Sequence, residues 1–321
     1  MWRLRRGRCP HLPSGAKLRR PEQRSGPTPI LCSNKPVTLR KGLAAAISRL
    51  TAANVPSPRL NAELLLMFTL GCDRAYLYAY PEHKLSTDDQ SRYDQALTER
   101  EHGVPTQYIT GHQEFWGMDF IVTPAVLIPR PETEHVIETV LERVRVERAP
   151  SPADSLRILD VGTGSGCIAM ALAKELPSAE IHATEISTAA LEIARANAGR
   201  LQLEACVQFH CTDLLQGLEL GAFDFVVSNP PYVGESEEDQ VQLEVRKHEP
   251  HNAVFAGATG LEVIERLIPQ AHESLKPGGW LVMEISGTVA ERVRGLLAKW
   301  NEVEITNDLQ GIPRVASARI A

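Results

Sequence analysis

Apolar residues follow a helical rhythm in the first third of the chain and a strand–helix alternation in the rest. Leu43, Ala46, Ile47 and Leu50 recur at three- and four-residue spacing, which predicts a helix. Val55-Pro56-Ser57-Pro58 breaks it, and Ala62 to Leu70 predicts a second helix ending near Gly71. Ser91 to Glu101 predicts a third, more polar one, with Tyr93 and Leu97 four apart. Between Pro105 and Pro129 the texture changes. Phe115, Trp116, Phe120, Ile121, Val122, Val126, Leu127 and Ile128 sit among Gly111, Gly117 and Pro124, which predicts short β segments and a hairpin. Thr133 to about Val146 is expected to be helical, with Val136, Val140 and Val144 each four apart.

From Leu156 onward strands alternate with helices. Strands are expected at Arg157–Val161, Glu180–Thr184, Val207–His210, Asp224–Ser228, Trp280–Ile285, Val303–Thr306 and Val315–Ile320. Helices are expected at Ser165–Glu175, Thr188–Ala198, Leu261–Leu275 and Val289–Trp300. Such alternation builds a parallel sheet covered by helices on both faces. A ligand then belongs at the carboxyl ends of the strands, where strand order reverses. The expected organisation is a leader over 1–37, a helical domain over 38–104, a hairpin linker over 105–130 and an α/β domain over 131–321.

Charge alters the picture at the start of the chain. Residues 1–40 hold ten Lys/Arg and one acid, Glu22, a charge of +9, which leaves −15 on the remainder of a chain whose total is −6. The Arg-rich, acid-poor leader has no long apolar centre, so it reads as a mitochondrial transit peptide or a basic tail rather than a secretory signal. The acidic body repels nucleic-acid phosphates and suits a partner with a basic surface. No apolar run reaches the roughly 20 residues that span a membrane. The six cysteines, Cys9, Cys32, Cys72, Cys167, Cys206 and Cys211, contain no Cys-x-x-Cys pair. His248 and His251 lack a second pair to complete a metal site, so no metal is expected.

Two motifs carry chemistry. The first strand of the alternating region ends in Asp160-Val161-Gly162-Thr163-Gly164-Ser165-Gly166. Glycines let such a turn tighten and approach a ligand, and the helix that follows offers free N–H groups. Cys167 stands where the nicotinamide fingerprint wants Gly or Ala, and Ser165 lacks the flanking glycines of a hydrolase elbow. Glu185 follows the second strand, where a carboxylate can accept both ribose hydroxyls of an adenosine; a helix cap is the plainer reading. Asp213 closes the third strand, within reach of an adenine amine.

The fourth strand runs directly into Asn229-Pro230-Pro231-Tyr232. Two prolines remove two backbone donors and leave carbonyls facing the site. Asn229 adds a side-chain carbonyl, and Tyr232 a flat face and a hydroxyl. Together they suit a planar –NH2 group, with acceptors for its hydrogens and a wall for its plane. Glu235, Glu237, Glu238 and Asp239 follow closely, and read equally as a solvated loop or as an acidic rim that steers a basic protein.

With these motifs, the chain from about residue 38 resembles the HemK-type glutamine methyltransferases that modify peptide-chain release factors. The resemblance includes Leu127-Ile128-Pro129-Arg130-Pro131-Glu132-Thr133-Glu134, the Asp160–Gly166 loop, Asn229–Tyr232, Glu249-Pro250, Ala253, Gly257, Gly260 and Leu261. It implies a class I S-adenosylmethionine-dependent methyltransferase fold: Rossmann-like, with a seven-stranded, mostly parallel sheet and a small N-terminal helical domain. It implies cofactor contacts from Gly162, Thr163, Gly164, Ser165, Gly166, Glu185, the Asp213-Leu214 turn and Asn229. It further implies that Asn229, Pro230, Pro231 and Tyr232 hold the glutamine of a Gly-Gly-Gln loop, with Asn229 and Tyr232 as the catalytic pair. Glu185 stands where family members often carry Asp, and Leu214 where some carry an aromatic. With the basic leader, the resemblance points to the mitochondrial member, acting in the matrix as a monomer on a protein substrate, without nucleic acid or membrane. Asn-Pro-Pro-Tyr alone is shared with adenine-N6 methyltransferases of DNA or RNA. That reading, and that of a non-catalytic partner-binding subunit, are the alternatives.

Overall fold

The computed structural model describes residues 37–147 and 155–321. The expected leader lies outside these residues except for Val37, as do Cys9 and Cys32.

Five helices open the described chain: α1 (Leu39–Ala52), α2 (Pro58–Leu70), α3 (Arg74–Ala79), α4 (Thr87–Glu101) and α5 (Thr106–Thr110). Pro58 starts α2, where its missing N–H costs nothing, and Gly71 ends it in the left-handed conformation. Helix α4 begins four residues before the expected Ser91. Ser86 and Asp89 form a reciprocal cap there, each side chain accepting the other's backbone N–H. Leu39, Leu50, Leu65, Leu66, Tyr93 and Leu97 close a separate apolar core among these helices. The Tyr93 hydroxyl is satisfied by the Ala62 carbonyl at 2.9 Å.

A hairpin follows, β1 (His112–Phe115) and β2 (Met118–Ile121). Trp116 and Gly117 make its turn, both at positive φ. The apolar Val126-Leu127-Ile128 run, expected to be β, is loop. It is fixed from outside: Tyr108 donates to the Val126 carbonyl at 2.6 Å, and the Ile128 N–H donates to Glu249 at 3.1 Å. A single 3₁₀ turn (Pro131–Thr133) then leads into α6 (Glu134–Glu147).

The remaining elements are β3 (Arg157–Val161), α7 (Cys167–Glu175), β4 (Glu180–Glu185), α8 (Thr188–Leu201), β5 (Val207–Cys211), β6 (Phe223–Ser228), α9 (Leu243–His248), α10 (His251–Val254), α11 (Glu262–Ser274), β7 (Leu275–Glu284), α12 (Ala290–Leu296), β8 (Asn301–Asn307) and β9 (Pro313–Arg319). Helix α7 starts at Cys167 rather than Ser165, because the glycine turn extends through Gly166. Helix α12 is shorter than expected at both ends. Seven strands form one sheet in the order β5-β4-β3-β6-β7-β9-β8. Pairing is parallel from β5 to β7, and β9 is antiparallel to both its neighbours.

Side chains alternate across the sheet. Ile158, Ile181, Phe225, Val227, Trp280 and Val282 pack on one face, with residues of α6 and α7. Leu159, Val161, Val226, Leu281 and Met283 pack on the other, with α11 and α12. Central strands buried on both faces explain their near-continuous apolar runs.

Arg100 of α4 ties the helical region to the α/β region. Its guanidinium donates to Asn61 Oδ1 at 2.8 Å and to the Val104 carbonyl at 3.2 Å, and pairs with Glu244 of α9 at 2.7 Å. The Arg100 side chain is almost fully buried. Removing it takes one of two donors from Asn61 Oδ1, which the Thr106 hydroxyl also serves, and leaves half-buried Glu244 without this ion pair. Arg100→Ala is expected to lower unfolding free energy by about 3 kcal/mol in urea titration, since breaking a buried pair costs more than the pair contributes.

Candidate active site

Strand β3 pairs in parallel with β4 on one side and β6 on the other, so strand order reverses here. Its end opens into the glycine loop. Gly162, Gly164 and Gly166 all lie at positive φ, which any other residue adopts only under strain. The Gly162 and Thr163 N–H groups both donate to the Thr184 carbonyl at 2.9 Å, which fastens the loop to β4. Asp160, wholly buried, lies beneath. Its Oδ2 accepts the Thr163 hydroxyl at 2.6 Å and the Ala169 N–H at 3.2 Å. Burial pushes this carboxyl up to about 7, against those two donated bonds.

Asn197 of α8 was not foreseen as a structural hub. It is fully buried, accepts the Ile121 N–H at 2.7 Å, and donates to the carbonyls of Ile121 and Ser165 at 3.0 and 2.9 Å. One amide thereby joins the hairpin to the glycine loop.

A cleft of about 330 Å³ lies above these strand ends. It is lined by Gly162, Thr163, Gly164 and Ser165, by Glu185 and Ile186, by Thr212, Asp213 and Leu214, and by Asn229, Pro230 and Pro231. Gly166 lies beneath it, against Met170 and Ala194. Glu185 is the last residue of β4. Its carboxylate accepts the N–H groups of Gly164 at 3.0 Å and Ser187 at 2.9 Å. Each oxygen keeps lone-pair capacity for a hydroxyl. Glu185 does not cap α8: the Ser187 side chain does, accepting the Ala190 N–H, while Glu185 holds the backbone of the glycine loop and of Ser187. Asp213 lies two residues beyond the end of β5 and lines the cleft; its Oδ2 is ion-paired with Arg266, and Oδ1 keeps acceptor capacity. Leu214 lies at positive φ and supplies aliphatic surface.

These residues fit S-adenosylmethionine. A carboxylate meets the place for paired hydroxyls, aliphatic groups meet a flat base, and a glycine turn admits close approach. Beneath the loop, the buried Asp160 Oδ1 has no hydrogen-bond partner among the described residues.

Beyond Asn229 lies a second opening of about 410 Å³. It shares Leu127, Asn229, Pro231 and Ala253 with the first, and adds Arg130, Tyr232, Glu284 and Arg314. Thus the structure brings Asn229, Pro230 and Pro231 to the first cleft and places Tyr232 on the second. Residues after Tyr232 pair with the stretch around Phe255: Val233 donates to the Val254 carbonyl at 3.2 Å and accepts from Ala256 at 3.0 Å. A Cβ on Gly260 would sit 2.6 Å from the Tyr232 carbonyl oxygen, so that glycine permits the close packing behind the motif. Glu235 to Asp239 belong to an exposed 3₁₀ turn.

Three polar residues that sequence reasoning left without a role converge here. Buried Glu249 pairs with Arg130 and caps the Ile128 N–H, which joins two separate stretches of the sequence pattern. Ser228 pairs with Met283, so Asn229 and the buried Glu284 leave neighbouring strands side by side. The Asn229 Nδ2 donates to Thr133 Oγ1 at 3.0 Å, Thr133 donates to Glu284 at 2.6 Å, and the Tyr232 hydroxyl donates to Glu284 at 3.1 Å. Burial raises the pKa of Glu284, while the two donated bonds oppose the rise. Burial, followed by the Glu284 charge, also raises the Tyr232 phenol, which keeps it protonated.

Among the described residues no His, Cys, Asp and Glu cluster could hold a metal, and no helix is long and apolar enough to cross a membrane.

Comparison with known proteins gives the family and the fold. Residues 42–111 match the PrmC N-terminal domain, and residues 142–248 the methyltransferase small domain. A release factor glutamine methyltransferase of Koribacter versatilis is 56% identical over 284 residues, which is 88% of this chain and 99% of that relative. One of Moorella thermoacetica is 44% identical over 260 residues, 81% of this chain and 89% of that relative. The hMettl16 catalytic domain, solved in complex with MAT2A 3'UTR hairpin 6, superposes with a TM-score of 0.51 over 78% of this chain and 93% of that one. At 17% identity that likeness concerns the fold, the class I methyltransferase sheet. The chain belongs to the release factor glutamine methyltransferase family.

Proposed function

We propose that this protein transfers a methyl group from S-adenosylmethionine to the side-chain amide nitrogen of the glutamine in a release factor's Gly-Gly-Gln loop. The observation that carries the reading is the meeting of two clefts at Asn229 and Pro231. Cofactor and glutamine approach the motif from its two sides, and the nitrogen meets the methyl group between them.

Bound in the first cleft, the cofactor supplies a methyl group already activated by a positive sulfur. The chain's own task is the nucleophile, because an amide nitrogen shares its lone pair with its carbonyl. With its Nδ2 committed to Thr133, Asn229 offers Oδ1 to one hydrogen of the –NH2 group. The Pro230 carbonyl accepts the other, and no proline N–H competes for either acceptor. Tyr232 walls the amide plane. Fixed positioning of this kind is worth roughly 7–11 kcal/mol in favourable cases. Acceptors aimed at the hydrogens also favour a pyramidal nitrogen as positive charge develops. Gly162 to Ser165, Glu185 and Leu214 hold the cofactor, and Glu185 accepts its ribose hydroxyls.

We place the protein in the mitochondrial matrix, on the strength of the Arg-rich, acid-poor leader. A version starting near residue 38 is expected to methylate normally in vitro and to be left outside mitochondria in an import assay. Import without the leader overturns this placement.

Glu185→Ala removes an acceptor worth about 1.5–3 kcal/mol to the cofactor. Calorimetry is expected to show affinity lower by roughly 10- to 150-fold. Unchanged affinity returns Glu185 to a purely structural role at the loop.

Asn229→Ala is expected to keep its fold and bind the release factor nearly as the parent does. Transfer should slow by about 10²–10³-fold, the size of effect seen when one preorganised polar group is removed from a transition-state site. Tyr232→Phe is expected to be milder, since the ring face remains. Single-turnover transfer to a release-factor domain, with mass spectrometry locating the methyl group, is the measurement. Parental rates in Asn229→Ala, or a methyl group on any atom other than a glutamine side-chain nitrogen, contradict the mechanism.

A further inference from the structure

A primary amide has two ends of similar shape and opposite hydrogen-bonding character. Packing alone does not tell them apart. For Asn229 the difference is decisive. If its –NH2 end faced the substrate, donor would meet donor, and the glutamine nitrogen would be repelled from the place where it reacts. Something has to hold the amide in one of its two orientations, and Asn229 has no means of doing so by itself.

The hydrogen-bond chain behind the motif supplies that direction. With a hydroxyl donating to each of its oxygens, Glu284 acts as an acceptor at both, the role of an ionised carboxylate. Glu284 is 2% exposed, and its two oxygens face two hydroxyls: Thr133 at 2.6 Å and Tyr232 at 3.1 Å. Thr133 has one proton, and it is directed to Glu284. What remains on Thr133 Oγ1 is lone-pair density, which can only accept. Its neighbour at 3.0 Å is Asn229, which must therefore present Nδ2 there and turn Oδ1 the other way.

We propose that Glu284, acting through Thr133, is the positioning residue that sets the orientation of the Asn229 amide and so makes the site select a glutamine amide nitrogen. The inference rests on the function proposed above. It also assigns a chemical task to Thr133, which lies within the Ile-Pro-Arg-Pro-Glu-Thr-Glu stretch and is carried on the 3₁₀ turn before α6. Through Tyr232 the same carboxylate fixes the wall of the substrate site, so both ends of the Asn-Pro-Pro-Tyr motif are referenced to one buried group. Reversing the chain reverses the outcome. In Glu284→Gln an amide –NH2 can donate to Thr133, the hydroxyl can then donate to Asn229, and the Asn229 –NH2 turns toward the substrate. Such a site is better matched to a carboxylate than to an –NH2 group.

The test compares the parent with Thr133→Ser, Thr133→Val and Glu284→Gln, each checked for parental unfolding behaviour. It uses single-turnover methyl transfer to a release-factor domain, and binding of the same domain carrying Glu in place of the Gly-Gly-Gln glutamine. Thr133→Ser keeps the hydroxyl and is expected to transfer within about threefold of the parent. Thr133→Val keeps the shape without the hydroxyl and is expected to be slower by about 10- to 100-fold, with release-factor binding little changed. Glu284→Gln is expected to be similarly slow while binding the glutamate-bearing domain more tightly than the parent does. Equal rates for Thr133→Val and the parent overturn the proposal. So does a Thr133→Ser variant as slow as Thr133→Val, which marks a packing role, or an unchanged preference for glutamine over glutamate in Glu284→Gln. A parent that fails to methylate glutamine at all contradicts the proposed function instead.

Discussion

Parallel pairing of β3 with β6 is the constraint on which the site depends. Val161 lies opposite Ser228, so the glycine loop and the Asn-Pro-Pro-Tyr segment leave the sheet together although 67 residues separate those partners. The Ser228 hydroxyl reinforces the join by donating to the Val161 carbonyl at 2.7 Å. In an open α/β sheet this is the reversal of strand order, where neighbouring loops part and leave a crevice. Neither motif is a site alone. The sheet register makes them two sides of one.

Around that crevice the chain places buried polar groups, each of which holds something in position. Asp160 holds the glycine turn, Asn197 holds the hairpin to the same turn, Glu249 holds the Arg130 loop, and Glu284 holds Thr133 and Tyr232. Buried polar groups are costly unless they are hydrogen-bonded, and here the bonds run between segments far apart in sequence. The apolar core holds the sheet and helices together, whereas these few polar contacts set the shape of the crevice.

The strand–helix alternation was legible because strands buried on both faces are written as short apolar runs between polar turns, and β3 runs over the expected Arg157–Val161. The glycine loop and Asn-Pro-Pro-Tyr were legible because their backbone demands use up the residue choice locally. Val126 to Ile128 misled because apolar β-branched residues resemble a strand, while their partners, Tyr108 and Glu249, lie 18 and 121 residues away from the positions they hold. Thr133 and Glu284 gave no local signal for the same reason, being 151 residues apart. Short α9 and α10 were missed in a polar stretch broken by Pro250. The start of α4 was readable in Ser86 and Asp89, a cap that the apolar spacing alone does not register.

Strand β9 follows β8 in the chain yet lies inside it, between β8 and β7. All of the hydrogen bonding that attaches β8 to the sheet therefore passes through β9. As the chain is synthesised, the edge of β7 from Trp280 to Glu284 has no partner until Pro313–Arg319 arrives, and an unpaired apolar edge is open to association with other chains. Glu284 lies at the end of that edge, opposite Val315. Its hydrogen-bond partners, Thr133 and Tyr232, precede it in the chain, whereas the strand that pairs with this edge comes after it. Until β9 arrives, β7 is paired on one side only, so the strand that carries Glu284 is braced after the glycine loop and the Asn-Pro-Pro-Tyr segment are made.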